Sequence, residues 1–519
     1  MKKAIYLIIA LIGLSAPSCS DSMLDFSPTD SGSGKELLKS ASTAITSVNG
    51  VYRSMWTAGW STTANTHQCF GIAAYNLALD CMADDLIMQS QGNGWFWGDH
   101  CYNVKSNYTS SAFRSYDVWY ANYKWIANVN YIIDAEPEMA GTEADVAYVA
   151  GQAYAIRALC YLNLATWFSR APYNPLTGAS RWNEACVPVY TTGTSIDTGG
   201  QPRESLRTVY GRIDQDIDRA IELLEKARET TLAENNKSHI NLYVALGIKS
   251  RACLAEGDWD GAFKAAKRVI DEGGYAVGTK SDLTGGMNSL DKQNVMWGAG
   301  IQVADQAGGY AGFFTHMDNK EGAYAKSAPK LISKQLYNRI SATDIRRDWW
   351  DPSDKESPYV SKKFSFANVA SFLGDYIYMR VEEMYFTAAE AALRLDDLKS
   401  ARELMNTVMA ERDPGYSANN RSGTLLGATT TTWTGSFLEN ILTHRRIELW
   451  GEYGRLFDVR RLGQGIDRRT DDGFSEECIS MMNRRNVNIT KADTYDWVLT
   501  IPKAELDANP NINEEDQNP

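Results

Sequence analysis

The chain has 519 residues, of which 44% are hydrophobic and 22% are charged, the composition of an ordinary folded protein. This length predicts one large domain or two intergrown lobes, since a single small core does not grow to such a size. The formal net charge of -12 argues against a nucleic-acid-binding protein, because such a protein needs a basic face.

The N-terminal residues predict export and membrane attachment. Residues 1–18 contain two lysines, a short apolar run and then small residues, the pattern of a secretory signal peptide. Cys19 stands where a bacterial lipoprotein is cleaved, so we predict that it carries lipid, with simple secretion and a free cysteine as the alternative. Residues 19–34 are rich in Ser, Asp and Gly and predict a flexible tether. The sequence has no second apolar run long enough for a transmembrane helix.

Apolar residues recur every three or four positions through much of the chain, which predicts amphipathic helices. The predicted helices cover residues 36–52, 75–87, 112–133, 145–168, 206–228, 240–255, 259–271, 378–394 and 398–412. Two helix pairs, within 240–271 and 376–412, have small residues spaced as in a tetratricopeptide repeat. We therefore predict a mostly α fold in which tetratricopeptide-like helix pairs form a scaffold over residues 35–272 and 375–463.

Residues 273–374 lose the helical periodicity and are rich in glycine and aromatic side chains. They predict an irregular, loop-rich lobe with a few short strands, for example over residues 295–303. Long loops in compact proteins are often functional, so we expect this lobe to carry most of the ligand site. With an irregular C-terminal segment over 464–519, the scaffold and the lobe would form a single domain from residue 35 to residue 519.

The most charged stretch, residues 437–463, spaces acidic and basic side chains three apart, as in Arg445 with Glu448 and Arg455 with Asp458. Apolar residues at helical spacing mark another face, which should dock on a core. We predict an ion-paired, partly buried helix whose regular part is bent or ended by Gly454, because glycine is unfavourable inside a helix.

Catalytic and metal-binding motifs are missing from the sequence. It has no His-Glu-x-x-His, no Gly-x-Ser-x-Gly and no phosphate-binding loop, and its five histidines show no metal spacing. Adjacent acids at 84–85, 382–383 and 476–477 do not face each other on a helix and are interpreted as surface or structural. A pair of distant carboxylates could still make a glycosidase. We predict no enzyme activity, no metal and no cofactor.

Seven cysteines remain after the predicted lipidation site, and they do not form a Cys-x-x-Cys motif. An odd number cannot all pair, so the sequence predicts neither a disulfide framework nor a zinc site. One pair among Cys69, Cys81 and Cys101 is possible.

Residues 437–463 also resemble the most recognisable stretch of the SusD/RagB family, the outer-membrane glycan-binding lipoproteins of Bacteroidetes. His444 and Tyr453 stand where that family usually has glutamate and glycine. The residues that match its pattern are Ile441, Arg445, Glu448, Leu449, Glu452, Arg455, Asp458 and Arg461.

Three further segments are similar to that family, and together with residues 437–463 they occur in its order. The predicted helix over 378–394 carries Arg380, Glu383, Ala389, Glu390 and Ala391, and residues 157–172 are similar to its N-terminal counterpart. The C-terminal matches are Trp497, Ile501, Pro502, Glu505, Asn509, Pro510, Gln517, Asn518 and Pro519.

The resemblance implies a non-catalytic surface lipoprotein of the bacterial outer membrane. Such proteins have four tetratricopeptide-like helix pairs as a supporting face and an irregular lobe that carries the ligand. They cap a SusC-like TonB-dependent transporter and help to deliver oligosaccharides for uptake. Its partners would be this transporter, the oligosaccharide and, through the lipid, the membrane. A peptide-binding relative on the same scaffold and a surface glycoside hydrolase are the alternatives.

Carbohydrate binding requires aromatic faces that stack on sugar C–H groups, with amides and carboxylates nearby for the hydroxyls. The glycine-flanked stretch 93–100 supplies both, and in an extended loop Trp95 and Trp97 would point to one side. The alternative is that both tryptophans fold back on the core. The predicted ligand-binding residues are Asn93, Trp95, Trp97, Asp99, Tyr310, Phe313, Phe314, His316 and Trp60.

Overall fold

The computed structural model describes residues 34–57, 66–103, 113–195, 197–233, 237–303 and 311–519. It confirms a mostly α-helical protein with a few short strands. Within these ranges every helix is too short or too polar to cross a bilayer. The predicted lipidation site Cys19 and two predicted ligand residues, Trp60 and Tyr310, lie outside the described residues.

Helices account for most of the regular structure. Up to residue 272 they are α1 (Gly34–Leu37), α2 (Ala41–Ser54), α3 (Ile72–Met82), α4 (Trp97–His100), α5 (Phe113–Ala135), α6 (Glu143–Phe168), α7 (Leu206–Lys226), α8 (Leu242–Glu256) and α9 (Trp259–Glu272). After it they are α10 (Lys280–Thr284), α11 (Phe313–Met317), α12 (Ala323–Ser327), α13 (Lys334–Tyr337), α14 (Val381–Arg394), α15 (Leu398–Ala410), α16 (Phe437–Glu448), α17 (Arg455–Arg461), α18 (Glu476–Arg484) and α19 (Lys503–Ala508).

The strands form two small antiparallel sheets. They are β1 (Leu86–Ile87), β2 (Val295–Ala299), β3 (Leu331–Ile332), β4 (Trp350–Asp351), β5 (Val360–Ser361) and β6 (Tyr376–Arg380). One sheet has the order β1-β3-β5-β4, and the other is the ribbon of β2 and β6. The ribbon ends at α14, so it connects the loop-rich segment to the helical scaffold.

The scaffold is a continuous series of packed helices. Helix α5 packs on α6, α6 on α7, α7 on α8 and α8 on α9. Helix α9 then packs on α14, which also contacts α15 and α16. The two tetratricopeptide-like pairs, which the loop-rich segment separates in the sequence, are therefore neighbours in space.

Capping residues explain where the scaffold helices begin and end. The Asn241 side chain accepts hydrogen bonds from backbone N–H groups in the first turn of α8, and Gly257 ends that helix at a φ of 80°. Asp258 then caps the start of α9. Asp397 caps α15 in the same way, so both repeat-like pairs turn on an aspartate that begins the second helix.

Two predicted helices end earlier than their periodicity indicated. The helix predicted over 75–87 ends at Met82, because Leu86 and Ile87 pair with β3. The stretch 437–463 forms two helices, α16 and α17, with Gly451 and Gly454 at φ values of 76° and 90° between them. These left-handed conformations suit glycine and interrupt the helix.

The charges of 437–463 are buried, and the predicted i,i+3 pairs of Arg445 with Glu448 and of Arg455 with Asp458 are wrong. Arg445 donates to Asp458 at 2.8 Å and not to Glu448. Arg455 pairs with Asp84 and Asp85, which follow α3 in the sequence, at 3.2 and 3.1 Å. Partners from other segments replace the predicted ones because these helices lie inside the protein and face other elements, although Arg461 still pairs locally with Asp458 at 2.7 Å.

Glu448 is the centre of a buried group of charges that we call the central ion cluster. Its members come from the loop-rich segment, the ribbon, α14, the end of α15 and α16, so the cluster connects the scaffold to the lobe. They are Arg346, Lys363, Arg380, Glu382, Arg412, Glu448 and Glu452.

Candidate functional site

Three partly buried aromatic side chains, His67, Trp95 and Tyr324, meet at the protein surface. The His67 and Trp95 rings stack with centroids 4.8 Å apart and planes 4° from parallel. The Tyr324 ring stands edge-on to Trp95 at 6.0 Å, and its hydroxyl shares a hydrogen bond with His67 Nδ1. We call these three residues the aromatic surface.

The backbone on both sides of Trp95 is held in place. Gly92 has a φ of 50°, and a Cβ atom there would lie 2.6 Å from the Ser327 carbonyl oxygen, so only glycine allows this approach of the loop to α12. On the other side, the Phe96 N–H donates to Gln68 Oε1 at 2.8 Å. The loop therefore presents Trp95 in one position beside Tyr324.

Buried aromatic rings support the aromatic surface from below. His316 is fully buried, its Nε2 lies 2.6 Å from the His67 carbonyl oxygen, and its ring contacts Phe96 edge-on at 5.0 Å. Burial, assisted by the charge of Lys330, lowers the pKa of His316 to about 3. His316 is therefore neutral at pH 7 and acts as a structural side chain beneath the surface.

The structure separates the predicted ligand residues into two groups. Asn93 is exposed and Trp95 is partly buried at the surface. The others that it describes lie in the interior: Trp97, Asp99, Phe313, Phe314 and His316. The interior group supports the loops and, in this conformation, leaves no ring face open to a ligand.

Trp95 and Trp97 do not point to one side of an extended loop, so that expectation is wrong. Phe96 has a left-handed conformation with a φ of 61°, and Trp97 then begins α4. Trp97 is 3% exposed and packs in the core. Two-residue alternation holds only while the backbone stays extended, and it ends at Phe96.

Asp99 forms a buried ion pair instead of reaching the surface. Its carboxylate accepts two hydrogen bonds from Arg114, from Nε at 2.9 Å and from Nη2 at 3.0 Å. Burial alone would lower the pKa of the Arg114 guanidinium. The Asp99 carboxylate outweighs burial, so the pKa of Arg114 is raised. The pair fixes α4 to α5 and holds the end of the loop that carries Trp95.

His67 is a candidate site residue that the sequence did not indicate. It lies in a short helical turn, outside any periodic stretch, and has no metal-ligand spacing to the other histidines. Tyr324 lies in the glycine-rich aromatic stretch that predicted the second wall of the site. Tyr324 lies more than two hundred residues after His67 and Trp95 in the sequence, and local patterns do not reveal such a contact.

A polar cleft of about 760 Å³ is lined in part by Lys326 of α12 and by residues before and after that helix. Its lining includes the exposed charged side chains of Glu321, Lys326 and Glu356, together with Phe366 and Val369. This volume is in the range of small-molecule sites. Because α12 carries both Tyr324 and Lys326, the aromatic surface and the cleft are neighbours.

The adjacent acids are structural or at the surface, as predicted. Asp84 and Asp85 pair with Arg446 at 3.0 and 2.6 Å, while Glu383 pairs with Arg251 at 2.7 Å. Residues 476–477 lie in the first turn of α18, where negative charge favours a helix. Neither buried pair is available to act as the acid and base of a hydrolase.

The described residues contain no group of His, Cys, Asp and Glu side chains arranged to hold a metal ion. Seven cysteines, all of them in the described ranges, are buried free thiols. The pair considered among Cys69, Cys81 and Cys101 is thus not formed in this structure.

Comparison with family models gives two matches. Residues 326–519 match the model described as "SusD family", and residues 43–254 match the one described as "Starch-binding associating with outer membrane". The search of curated proteins finds no match.

Solved structures share the fold over almost the whole chain. A SusD-like carbohydrate binding protein from Bacteroides vulgatus is 24% identical, with a TM-score of 0.73, 92% of this chain covered and 98% of that one. A SusD superfamily protein from Bacteroides thetaiotaomicron is 22% identical, with a TM-score of 0.71 and coverages of 92% and 100%. Surface glycan-binding protein A from Bacteroides thetaiotaomicron, in complex with laminarihexaose, is 16% identical, with a TM-score of 0.63 and coverages of 92% and 99%.

Proposed function

Because this chain belongs to the SusD/RagB family, we propose that it binds oligosaccharides at the bacterial cell surface and delivers them uncleaved to a SusC-like TonB-dependent transporter. Lipid on Cys19 would attach it to the outer membrane, and the scaffold would face the transporter. The aromatic surface would hold the glycan.

The observation that carries this proposal is the geometry of Trp95. Trp95 is only partly buried, and the His67 ring stacks on its indole. This contact restricts the orientation of the indole. Sugar rings present C–H groups that pack on such aromatic faces. The exposed amide of Asn93, two residues away, offers both a donor and an acceptor to sugar hydroxyls.

The aromatic surface is also preorganised, which favours binding. The His67–Tyr324 hydrogen bond and the close approach of Gly92 to Ser327 restrict the two loops before any ligand arrives. A ligand that meets a rigid surface loses less of its binding free energy to ordering the protein. The acidic and basic side chains of the polar cleft would contact hydroxyls of a longer glycan beyond Tyr324.

The direct test is calorimetry of the purified chain against a panel of oligosaccharides that includes laminarihexaose, with the variant Trp95→Ala. Loss of the stacking contact should weaken binding by about 1 to 2 kcal/mol, or roughly five- to thirtyfold in Kd. Trp182→Ala is the matched control, because Trp182 is also partly buried and packs on the core far from this loop in the sequence. Unchanged affinity of Trp95→Ala for a confirmed ligand would refute the proposed site.

Two further measurements separate the alternatives. Release of reducing ends from a bound glycan would indicate a hydrolase, whereas retention of peptides without any glycan would indicate a peptide-binding relative. Co-purification of the membrane-attached chain with a SusC-like transporter tests the partner needed for delivery. Loss of this co-purification in Cys19→Ser tests the lipid anchor.

A further inference from the structure

A second pocket, of about 480 Å³, lies between α2 and the β2–β6 ribbon and shares no residue with the aromatic surface. Helix α2 and the residues after it contribute Asn49, Arg53 and Trp56, and the ribbon contributes Trp297 and Tyr378. The volume is in the range of pockets that take small molecules or one end of a larger ligand. We call it the ribbon pocket.

Two polar atoms of the ribbon pocket residues have no hydrogen-bond partner in the part of the chain that the structure describes. The Tyr378 hydroxyl is buried on a side chain that is 5% exposed, and Asn49 Oδ1 is buried as well. Buried polar groups almost always have partners, so two such atoms at one pocket point to a ligand that supplies them. The neighbouring Tyr52 differs, since its hydroxyl donates to Gln152 at 2.9 Å and accepts from the Ile240 N–H at 3.0 Å.

These two atoms suit a neutral ligand that both donates and accepts hydrogen bonds. Burial raises the pKa of Tyr378 well above its usual value, so its hydroxyl stays protonated and can donate, while the Asn49 oxygen accepts. Sugar hydroxyls both donate and accept hydrogen bonds, which satisfies both atoms. An anion would gain nothing from Asn49 Oδ1, because two acceptors repel each other.

An aromatic side chain and a glycine with free space beside it also line the pocket. Trp56 is partly buried, and the Arg53 guanidinium lies 5.8 Å from its ring centroid, which fixes one side of the indole. A Cβ atom on Gly50 would meet no other atom within 4 Å, so the pocket is open at that point. The Trp297 ring holds Tyr378 edge-on at 5.0 Å, and Trp297 Nε1 donates to the Ser238 carbonyl oxygen at 3.2 Å.

We propose that the ribbon pocket is a second sugar subsite, which binds one neutral pyranose unit through Trp56, Asn49 and Tyr378. The inference rests on the proposed glycan-binding function and adds a second point of attachment to it. Two linked contacts on one chain raise the overall affinity without new kinds of interaction. Glycans long enough to reach both the ribbon pocket and the aromatic surface should therefore bind more tightly than short ones.

The test is calorimetry of the full chain with laminarihexaose, maltohexaose, xylohexaose and mannohexaose, using Tyr378→Phe and Trp56→Ala. Tyr378→Phe removes only an unpartnered hydroxyl, so the thermal midpoint should stay the same or rise while glycan affinity falls about three- to tenfold. A merely structural hydroxyl would lower the midpoint and leave affinity unchanged. Trp56→Ala should weaken binding by about tenfold. Its matched control is Trp182→Ala, where Arg207 also lies 5.8 Å from the ring centroid.

The outcomes distinguish this inference from the proposed function. If Trp95→Ala weakens binding while Trp56→Ala and Tyr378→Phe bind as the unmodified chain does, the ribbon pocket is refuted and the function stands. If only the ribbon pocket variants weaken binding, the subsite is supported and the aromatic surface is refuted. Failure of every glycan in the panel to bind overturns both.

Discussion

Replacing Glu448 with alanine tests the central ion cluster. Glu448 is fully buried, and its carboxylate accepts hydrogen bonds from Arg346 at 3.0 Å, Arg380 at 2.9 Å, and Arg412 at 2.9 and 3.0 Å. Glu448→Ala removes the group that the three guanidinium groups share and leaves their positive charges close together in the interior.

The structure sets the size of the effect. Removing one partner of a buried ion pair costs about 3 to 5 kcal/mol, because the remaining charge is left uncompensated. Each arginine keeps another carboxylate: Asp344 for Arg346, Glu452 for Arg380 and Glu382 for Arg412. The loss should therefore stay within that range despite three broken contacts, yet it is large beside a typical unfolding free energy of about 5 to 15 kcal/mol.

Urea unfolding at pH 7, followed by circular dichroism, measures this loss as a shift of the midpoint. Glu403→Ala is the control, since Glu403 lies 3.9 Å from Lys399 and both side chains are mostly exposed, and it should cost less than about 1 kcal/mol. A loss below about 1 kcal/mol for Glu448→Ala would refute the argument that the cluster stabilises the fold.

The pH dependence of stability provides a second readout for Glu448. Burial alone would raise its pKa, but Arg412, Arg380 and Arg346 outweigh burial and lower the pKa well below the usual 4.5. The stabilisation is therefore present above the unfolded-state pKa and is lost as the pH falls through the folded-state pKa. The stability difference between the unmodified chain and Glu448→Gln should narrow in acid, and a constant difference would contradict this origin.

Two further predictions concern buried titratable groups. Burial, only partly offset by the hydrogen bond from the Arg455 N–H, raises the pKa of Asp80 from 3.8 to about 8. The unmodified chain should therefore lose stability as the pH rises between these two values, whereas Asp80→Asn should not show this loss. The urea midpoint of Asp80→Asn should equal that of the unmodified chain near pH 4 and exceed it by pH 8. A difference in midpoint that does not change with pH would contradict the raised pKa of Asp80. The seven buried cysteines should resist iodoacetamide in the native protein and all react in urea, as peptide mass spectrometry can show; rapid native labelling of any of them would contradict their burial.

Much of the scaffold could be predicted from local patterns. Helical periodicity located most of the long helices, and the turn at Gly257 and Asp258 has the residues that end one helix and begin the next. The errors lie at element ends. The helix predicted through residue 87 ends at Met82, because a strand pairing that is distant in sequence takes Leu86 and Ile87.

The candidate site was less predictable, since it depends on contacts between distant segments. Glycine-flanked aromatics directed attention to Trp95 and to the stretch that contains Tyr324, and these remain predicted ligand residues. They left open whether Trp97 would be buried, and they did not indicate that His67 would stack on Trp95. A single left-handed residue, Phe96, turns the chain inward, and no periodic pattern encodes that turn.

The charged stretch 437–463 shows what each level of structure determines. The sequence by itself determined that it is helical, that it resembles one family and that its charges need partners. Only the tertiary structure decided which partners they have, because Arg445, Arg455 and Glu448 are buried and face other elements. A buried charge is stabilised by whichever opposite charge packs against it, and that choice depends on the assembled fold and not on spacing along the chain.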